Sequence, residues 1–227
     1  PMVTRGLVWS TPLLIATALL AAWGWLATPE GAQIAVHWGL DGEANRYAGK
    51  REAFLMAPGI GLLLTAIFVI APAVDPRGAN MKRSEPVVLI SWTSGMAIVA
   101  LVQAIITLNA VGLLSAGDEL VPRVIGAAVA VTILLLGNVL SKARPNWFVG
   151  VRTPWTLSSD KAWDVSHRWA ARLFVLSGAA GLAAMALAPL EIAFAVLTGA
   201  VMAAALIPTV LSYFVWRTDP DRETWNA

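Results

Sequence analysis

Residues 169–214 read WAARLFVLSGAAGLAAMALAPLEIAFAVLTGAVMAAALIPTVLSYF, two apolar runs of about 20 residues separated only by APLE at 188–191. At 1.5 Å of rise per residue, a run of that length crosses the roughly 30 Å hydrocarbon core of a bilayer. Four intervening residues force an immediate reversal, so the two runs form an antiparallel pair of spans. Working back through the chain, further runs occupy 124–140, 87–114, 54–74 and 7–27. The chain has 227 residues, is 58% hydrophobic and only 13% charged, against about 25% charged in a soluble protein. Its fold class is therefore all-α: a polytopic transmembrane helix bundle of six spans.

The first run competes with a cleaved signal peptide, because Arg5 precedes it and small residues follow it. Its length, and Trp23 and Trp25 near its end, favour a first span with interfacial anchors. Orientation follows from charge. Twelve of the 16 Lys and Arg residues fall in the N-terminal segment, at 75–86, at 141–172 and in the tail, leaving four on the other side. The positive-inside bias then places both termini and the 141–168 loop in the cytoplasm, and the 28–53 loop outside. The tail at 216–227, WRTDPDRETWNA, reads as polar and frayed.

Composition also excludes several chemistries. The basic residues are dispersed over short loops rather than gathered on one face, so no direct nucleic-acid partner is assigned. The chain has no cysteine, which removes disulfides, thiol nucleophiles and thiolate metal sites. The only histidines, His37 and His167, fall on opposite sides of the expected bilayer, and no Ser-His-Asp or two-histidine zinc arrangement can be assembled. No catalytic residue, metal ligand or cofactor is assigned.

The 28–53 loop carries a turn at Asp41-Gly42, with His37, Glu43 and Tyr47 beside it. Its imidazole and carboxylates suit hydrogen bonds to a peptide, and their spacing matches no metal motif. Gln103 and Asn109 lie inside the third run, where amides serve interhelical hydrogen bonds or line a substrate path. Asn138 closes the fourth run.

Between the fourth and fifth runs, 145–168 reads PNWFVGVRTPWTLSSDKAWDVSHR, too polar for lipid. Pro145 and Pro154 prevent one continuous helix, and Gly150 allows a turn. Ser158 or Ser159 is placed to cap a helix that starts near Asp160 and continues into the fifth span. Four-residue spacing pairs Asp164 with Arg168 and Trp163 with His167 on that helix. Arg152, among tryptophans, is the candidate clamp for a carboxylate or phosphate; its ordinary role would be to meet lipid headgroups or helix-end carbonyls.

Gly137-Asn138, the segment RPNWFVGVRTPWTLSSDKAW at 144–163 and SHR at 166–168 resemble the signature of the SdpI family, the sporulation-delaying-protein immunity proteins. Ser166 departs mildly, standing where threonine is commoner. The segment IAVHWGLDGEANRYAGKREAFLMAP at 34–58 is similar to the small uncharacterised domain that often precedes this signature. The resemblance implies a two-span segment at 1–75 with its outward loop at 28–53, then a four-span segment at 76–227 with a cytoplasmic signature loop at 141–168. It implies a bacterial inner or cytoplasmic membrane protein, surrounded by membrane lipids, that confers resistance to a secreted peptide toxin and signals by recruiting a cytosolic transcriptional repressor. The residues it marks for ligand or partner binding are Asn138, Asn146, Gly150, Arg152, Thr153, Pro154, Trp155, Thr156, Trp163 and His167. His37, Asp41, Gly42 and Tyr47 would face the toxin.

Two other readings stand beside it. A small-solute or peptide transporter would use Gln103, Asn109 and Asn138 along its path. A membrane enzyme at the cytoplasmic interface would hold an anionic group on Arg152 and use His167 or Asp164 as acid or base.

Overall fold

The computed structural model describes residues 1–115 and 119–222. In chain order the elements are α1 (Met2–Ala27), β1 (Ile34–Trp38), β2 (Ala44–Ala48), α2 (Lys50–Val74), α3 (Gly78–Arg83), α4 (Glu85–Ala110), α5 (Leu120–Leu140), α6 (Pro154–Leu157), α7 (Asp160–Leu187) and α8 (Leu190–Arg217). Six of them, α1, α2, α4, α5, α7 and α8, are long and apolar enough to cross a membrane. The helical bundle read from the apolar runs is the observed fold.

Side-chain distribution says which solvent the bundle is built for. On α1 the buried positions after Met2 are Gly6, Ser10, Thr17, Ala21 and Gly24, small or polar, while Leu19 and Leu26 face outward at 66% and 85% exposure. Leu62, Leu63, Leu176 and Leu206 point outward on other helices in the same way. A water-soluble bundle would reverse this pattern; lipid tails accept large apolar surfaces, and small residues let helices approach closely.

Backbones approach closely between α5 and α7. A Cβ added to Gly137 would lie 2.5 Å from the Val175 backbone nitrogen, and one added to Gly178 would lie 2.6 Å from that of Leu134. Arg123 Nη1 donates to the carbonyls of Met185 and Ala188 (2.6 and 3.1 Å), which caps the C-terminus of α7 with a cation. Ser177 Oγ donates to the Ala200 carbonyl and ties α7 to α8. On the other half, α4 packs against α1 and α2 and meets α5 on its far side. Gln103 Nε2 donates to Thr107 Oγ1, and Thr107 Oγ1 to the Leu20 carbonyl, so these polar groups link α4 to α1.

One feature lies outside the bundle reading. Residues 34–48, read from sequence as a loop with a turn, form a two-stranded antiparallel hairpin. Gly39 N donates to Glu43 O, Glu43 N donates to Asp41 Oδ1, and Gly42 takes a positive φ of 79° in the turn. Its strands are five residues each and their register is interrupted beside His37, too short and irregular for a period-two pattern to declare itself.

Helix ends also extend past the apolar runs. The helix of the fifth span starts at Asp160, ahead of the run at Trp169, and that of the second starts at Lys50, whose Nζ donates to Glu30 (2.7 Å). The third stops at Ala110, short of Leu114, where Gly112 takes a φ of 77° and Asn109 Nδ2 donates to the Leu114 carbonyl.

The two ends of the bundle differ. Met2 shares a buried apolar cluster with Val149 and Trp163, and Ser159 Oγ donates to Asp219 Oδ2, so the start of α1 and the end of α8 both stand beside the signature loop. The hairpin stands at the opposite end. The frayed tail expected at 216–227 is corrected for its described part: Asp219 is 4% exposed and the Arg222 guanidinium lies 5.3 Å from the Trp216 ring centre. Residues 223–227 lie outside the described residues.

Candidate functional site

The signature loop is held from two directions. After α5 ends, Pro145 precludes further helix and Asn146 organises the turn. Asn146 is fully buried; its Nδ2 donates to the carbonyls of Arg144 (2.7 Å) and Val149 (3.1 Å), and its Oδ1 accepts from the N–H groups of Phe148 (2.9 Å) and Val149 (2.8 Å). Both amide protons and both oxygen lone pairs are thereby used.

From outside the loop, the segment at 75–84 supplies a matching set. Asp75 Oδ2 accepts from Trp147 N (3.0 Å) while Oδ1 accepts from Arg77 N (2.7 Å). Asn80 Nδ2 donates to the Pro145 carbonyl, Ser84 Oγ accepts from Arg144 N, and Arg77 Nη2 donates to the Leu157 carbonyl. Sequence reasoning missed Asp75, Asn80 and Ser84. The one local signal was Asp75 before Pro76, where an Asp side chain commonly accepts from the N–H two residues on.

The other support is α7. Ser159 Oγ accepts from Ala162 N and caps the helix, as the Ser-Ser-Asp sequence predicts. Trp163 and His167 then stack with ring centres 4.0 Å apart and 17° between planes. Trp163 Nε1 donates to the Ala143 carbonyl (2.9 Å). His167 Nδ1 lies 2.8 Å from the Trp163 carbonyl, which can only accept, so Nδ1 carries the proton and Nε2 keeps its lone pair. That lone pair accepts from Val151 N at 3.0 Å. Gly150, with φ of +112°, makes the approach feasible: a Cβ there would lie 2.3 Å from His167 Nε2. With both ring nitrogens engaged by backbone and the ring 1% exposed, His167 holds the loop's shape and has no free lone pair for acid–base work.

The segment Thr153-Pro154-Trp155-Thr156 forms the capped short helix α6. Thr153 Oγ1 accepts from Thr156 N, Thr156 Oγ1 accepts from Thr153 N, and Pro154 fills the first helical position. Thr153 Oγ1 shares a hydrogen bond with Ser212 Oγ on α8 (3.1 Å), and Trp155 meets Tyr213 edge-on at 5.2 Å. Asp219 is drawn below the usual carboxylate range chiefly by the Ser159 hydroxyl, helped by Asp221 N–H and the charges of Lys161 and Arg222.

Three placements differ from what sequence proximity and spacing suggest. Arg152 is exposed and donates through Nη1 to the Trp147 carbonyl (2.8 Å); the cations that do stand over indoles are Lys50, Arg172 and Arg222. Asp164 and Arg168 are both exposed and form no ion pair, which fits the small net worth of such surface pairs. Asn138 faces outward on α5, apart from the buried cluster of Asn146, Thr153, Thr156, Trp163 and His167. His37, Asp41, Gly42 and Tyr47 do come together, on the hairpin: His37 Nδ1 pairs with Asn45 Oδ1 at 2.6 Å and Tyr47 is 52% exposed.

Two open clefts flank the bundle. One, of about 530 Å³, lies under the signature loop between Phe68, Val87, Leu136, Leu140, Phe174 and Ala205, with Arg152 at its edge. The other, of about 420 Å³, lies under the hairpin between Val36, Trp38, Val102, Ile125 and Phe194. Among the described residues, no group of three or more His, Asp or Glu is placed to hold a metal ion.

Comparison with known proteins bears on the same two regions. Residues 142–212 match the SdpI/YfhL protein family, and residues 13–62 match a domain of unknown function, DUF1648. Immunity protein SdpI of Bacillus subtilis (strain 168) is 29% identical over 106 residues, which cover 46% of this chain. The chain thus spans about half the length of that curated relative, 51%. No solved structure matches. The first match starts just past α5, takes in the clamped loop and α7, and ends at Ser212, the partner of Thr153; the second takes in the hairpin and the parts of α1 and α2 that carry it. The chain is a multi-pass membrane protein whose residues 142–212 match the SdpI family, behind a segment at 13–62 that matches DUF1648.

Proposed function

We propose that this chain is an immunity protein of a bacterial cytoplasmic membrane and protects the cell against a membrane-active peptide. The observation that carries this reading is the SdpI match over a loop whose buried polar groups are satisfied by the chain's own backbone. Such a loop is a rigid presenting surface, with Trp147, Arg152 and Pro154 exposed on it, rather than a reaction centre. The likeness to a protein named for immunity supports the same role. In this reading the hairpin faces outward and meets the peptide, and the signature loop faces the cytoplasm and offers its exposed rim to a cytosolic repressor.

The experiment is growth of a susceptible strain under a panel of membrane-active peptides. Cells expressing the chain are expected to survive at least one peptide that kills empty-vector cells; equal killing by every peptide would remove the proposal.

Orientation is tested separately, and the absence of native cysteine makes the test clean. Tyr47→Cys on the hairpin is expected to react with a membrane-impermeant maleimide in intact cells, and Arg168→Cys only after permeabilisation. The reverse pattern would invert the arrangement.

A further inference from the structure

We propose that the cleft under the signature loop holds an acyl chain of an anionic phospholipid from the surrounding bilayer, with the headgroup phosphate on the Arg152 guanidinium. Its volume of about 530 Å³ lies within the range of small-ligand sites, roughly 300–1,000 Å³. Five helices contribute walls, all apolar at the depth of Phe68, Leu136 and Phe174, and Phe148 to Thr153 form the roof.

The choice of occupant follows from what the walls lack. A peptide strand placed among Phe68, Val87, Leu136, Leu140, Phe174 and Ala205 would find only the Ser91 and Thr209 hydroxyls on the helix walls, too few for its backbone N–H and C=O groups, and each group left without a partner costs several kcal/mol. An acyl chain has no such groups. At the mouth, Arg152 is exposed and uses Nη1 alone, toward Trp147 O, so the rest of its planar fork is available to a phosphate. A guanidinium at the rim of an apolar cleft selects an amphiphile with an anionic head.

The seam that holds this cleft is built along whole helices. Val87 and Ser91 of α4 line it, while Val102 and Ile105 of the same helix line the cleft under the hairpin. Likewise α5 gives Leu136 and Leu140 to one and Pro122 and Ile125 to the other, and α8 gives Ala205 and Thr209 to one and Phe194 to the other. These spacings repeat one helical face, so the same faces of α4, α5 and α8 border both clefts.

The test is native mass spectrometry of the full chain purified in mild detergent and offered equimolar phosphatidylglycerol and phosphatidylcholine. Wild type is expected to retain one phosphatidylglycerol with a preference of about fivefold over phosphatidylcholine, as an exposed charge pair allows. Arg152→Gln brings the ratio to near one, Arg152→Lys keeps most of it, and Ala205→Trp reduces retention of both lipids. Excess inorganic phosphate leaves retention unchanged, because the chain as well as the headgroup is held. Equal retention of the two lipids by wild type, an unaltered preference in Arg152→Gln, displacement by phosphate alone, or wild-type retention by Ala205→Trp would each overturn the proposal. Arg152 is a surface residue, so its two variants test the headgroup contact without disturbing the bundle.

Discussion

Asn146→Ala is expected to lower the unfolding free energy by about 4 kcal/mol, near 1 kcal/mol for each of four lost hydrogen bonds. The groups left behind, the carbonyls of Arg144 and Val149 and the N–H groups of Phe148 and Val149, sit in a buried turn that an alanine cannot satisfy. Asn146→Asp is the informative companion. An ionised aspartate keeps the two acceptors, loses both donors and sets a negative charge against two carbonyls, so it should not rescue the loop. Thermal unfolding in detergent, followed through tryptophan fluorescence, reads the loss. A change under 1 kcal/mol for Asn146→Ala would mean that the turn does not depend on its asparagine.

Gly150→Ala is the second large effect. A non-glycine residue at φ +112° costs about 1–3 kcal/mol in backbone strain, and its Cβ would press on His167 Nε2, adding about 1–3 kcal/mol of overpacking. The clash has a specific partner, so the effect is conditional. In a Gly150→Ala/His167→Ala double variant the steric part disappears, and the two losses should combine to less than their sum by at least about 1 kcal/mol. Strict additivity would contradict the pairing. Gly199→Ala, where an added Cβ meets nothing within 4 Å, serves as the control and should stay near wild type.

What the sequence made legible was whatever depends on neighbours along the chain. Apolar runs declare spans because the lipid imposes length, and the Ser159 cap and the Trp163–His167 stack follow from helical spacing of three and four residues. The site's assembly is different in kind. Asp75 reaches Trp147 across 72 residues, and His167 reaches Val151 across 16 through a turn that only folding defines. Neither contact has a periodic signature. Gly150 was read as a turn residue; that its missing Cβ leaves room for an imidazole could not be seen without the fold. Arg152 was placed near indole rings because tryptophans surround it in sequence, yet it is the Trp147 carbonyl that holds it. The hairpin escaped because two five-residue strands with interrupted register carry less pattern than one amphipathic strand.

These distinctions separate the residues that shape the loop from those that face outward from it. Asn146, Gly150 and His167 build the surface; Trp147 and Arg152 are presented on it. The most direct measurement is therefore survival under a peptide against which wild type protects, comparing wild type, His37→Ala on the hairpin and a Trp147→Ala/Arg152→Ala double variant at matched membrane abundance and matched thermal stability. The account predicts that both variants lose protection while remaining folded in the membrane. Full protection by the Trp147→Ala/Arg152→Ala protein would contradict the claim that the clamped signature loop is the working surface.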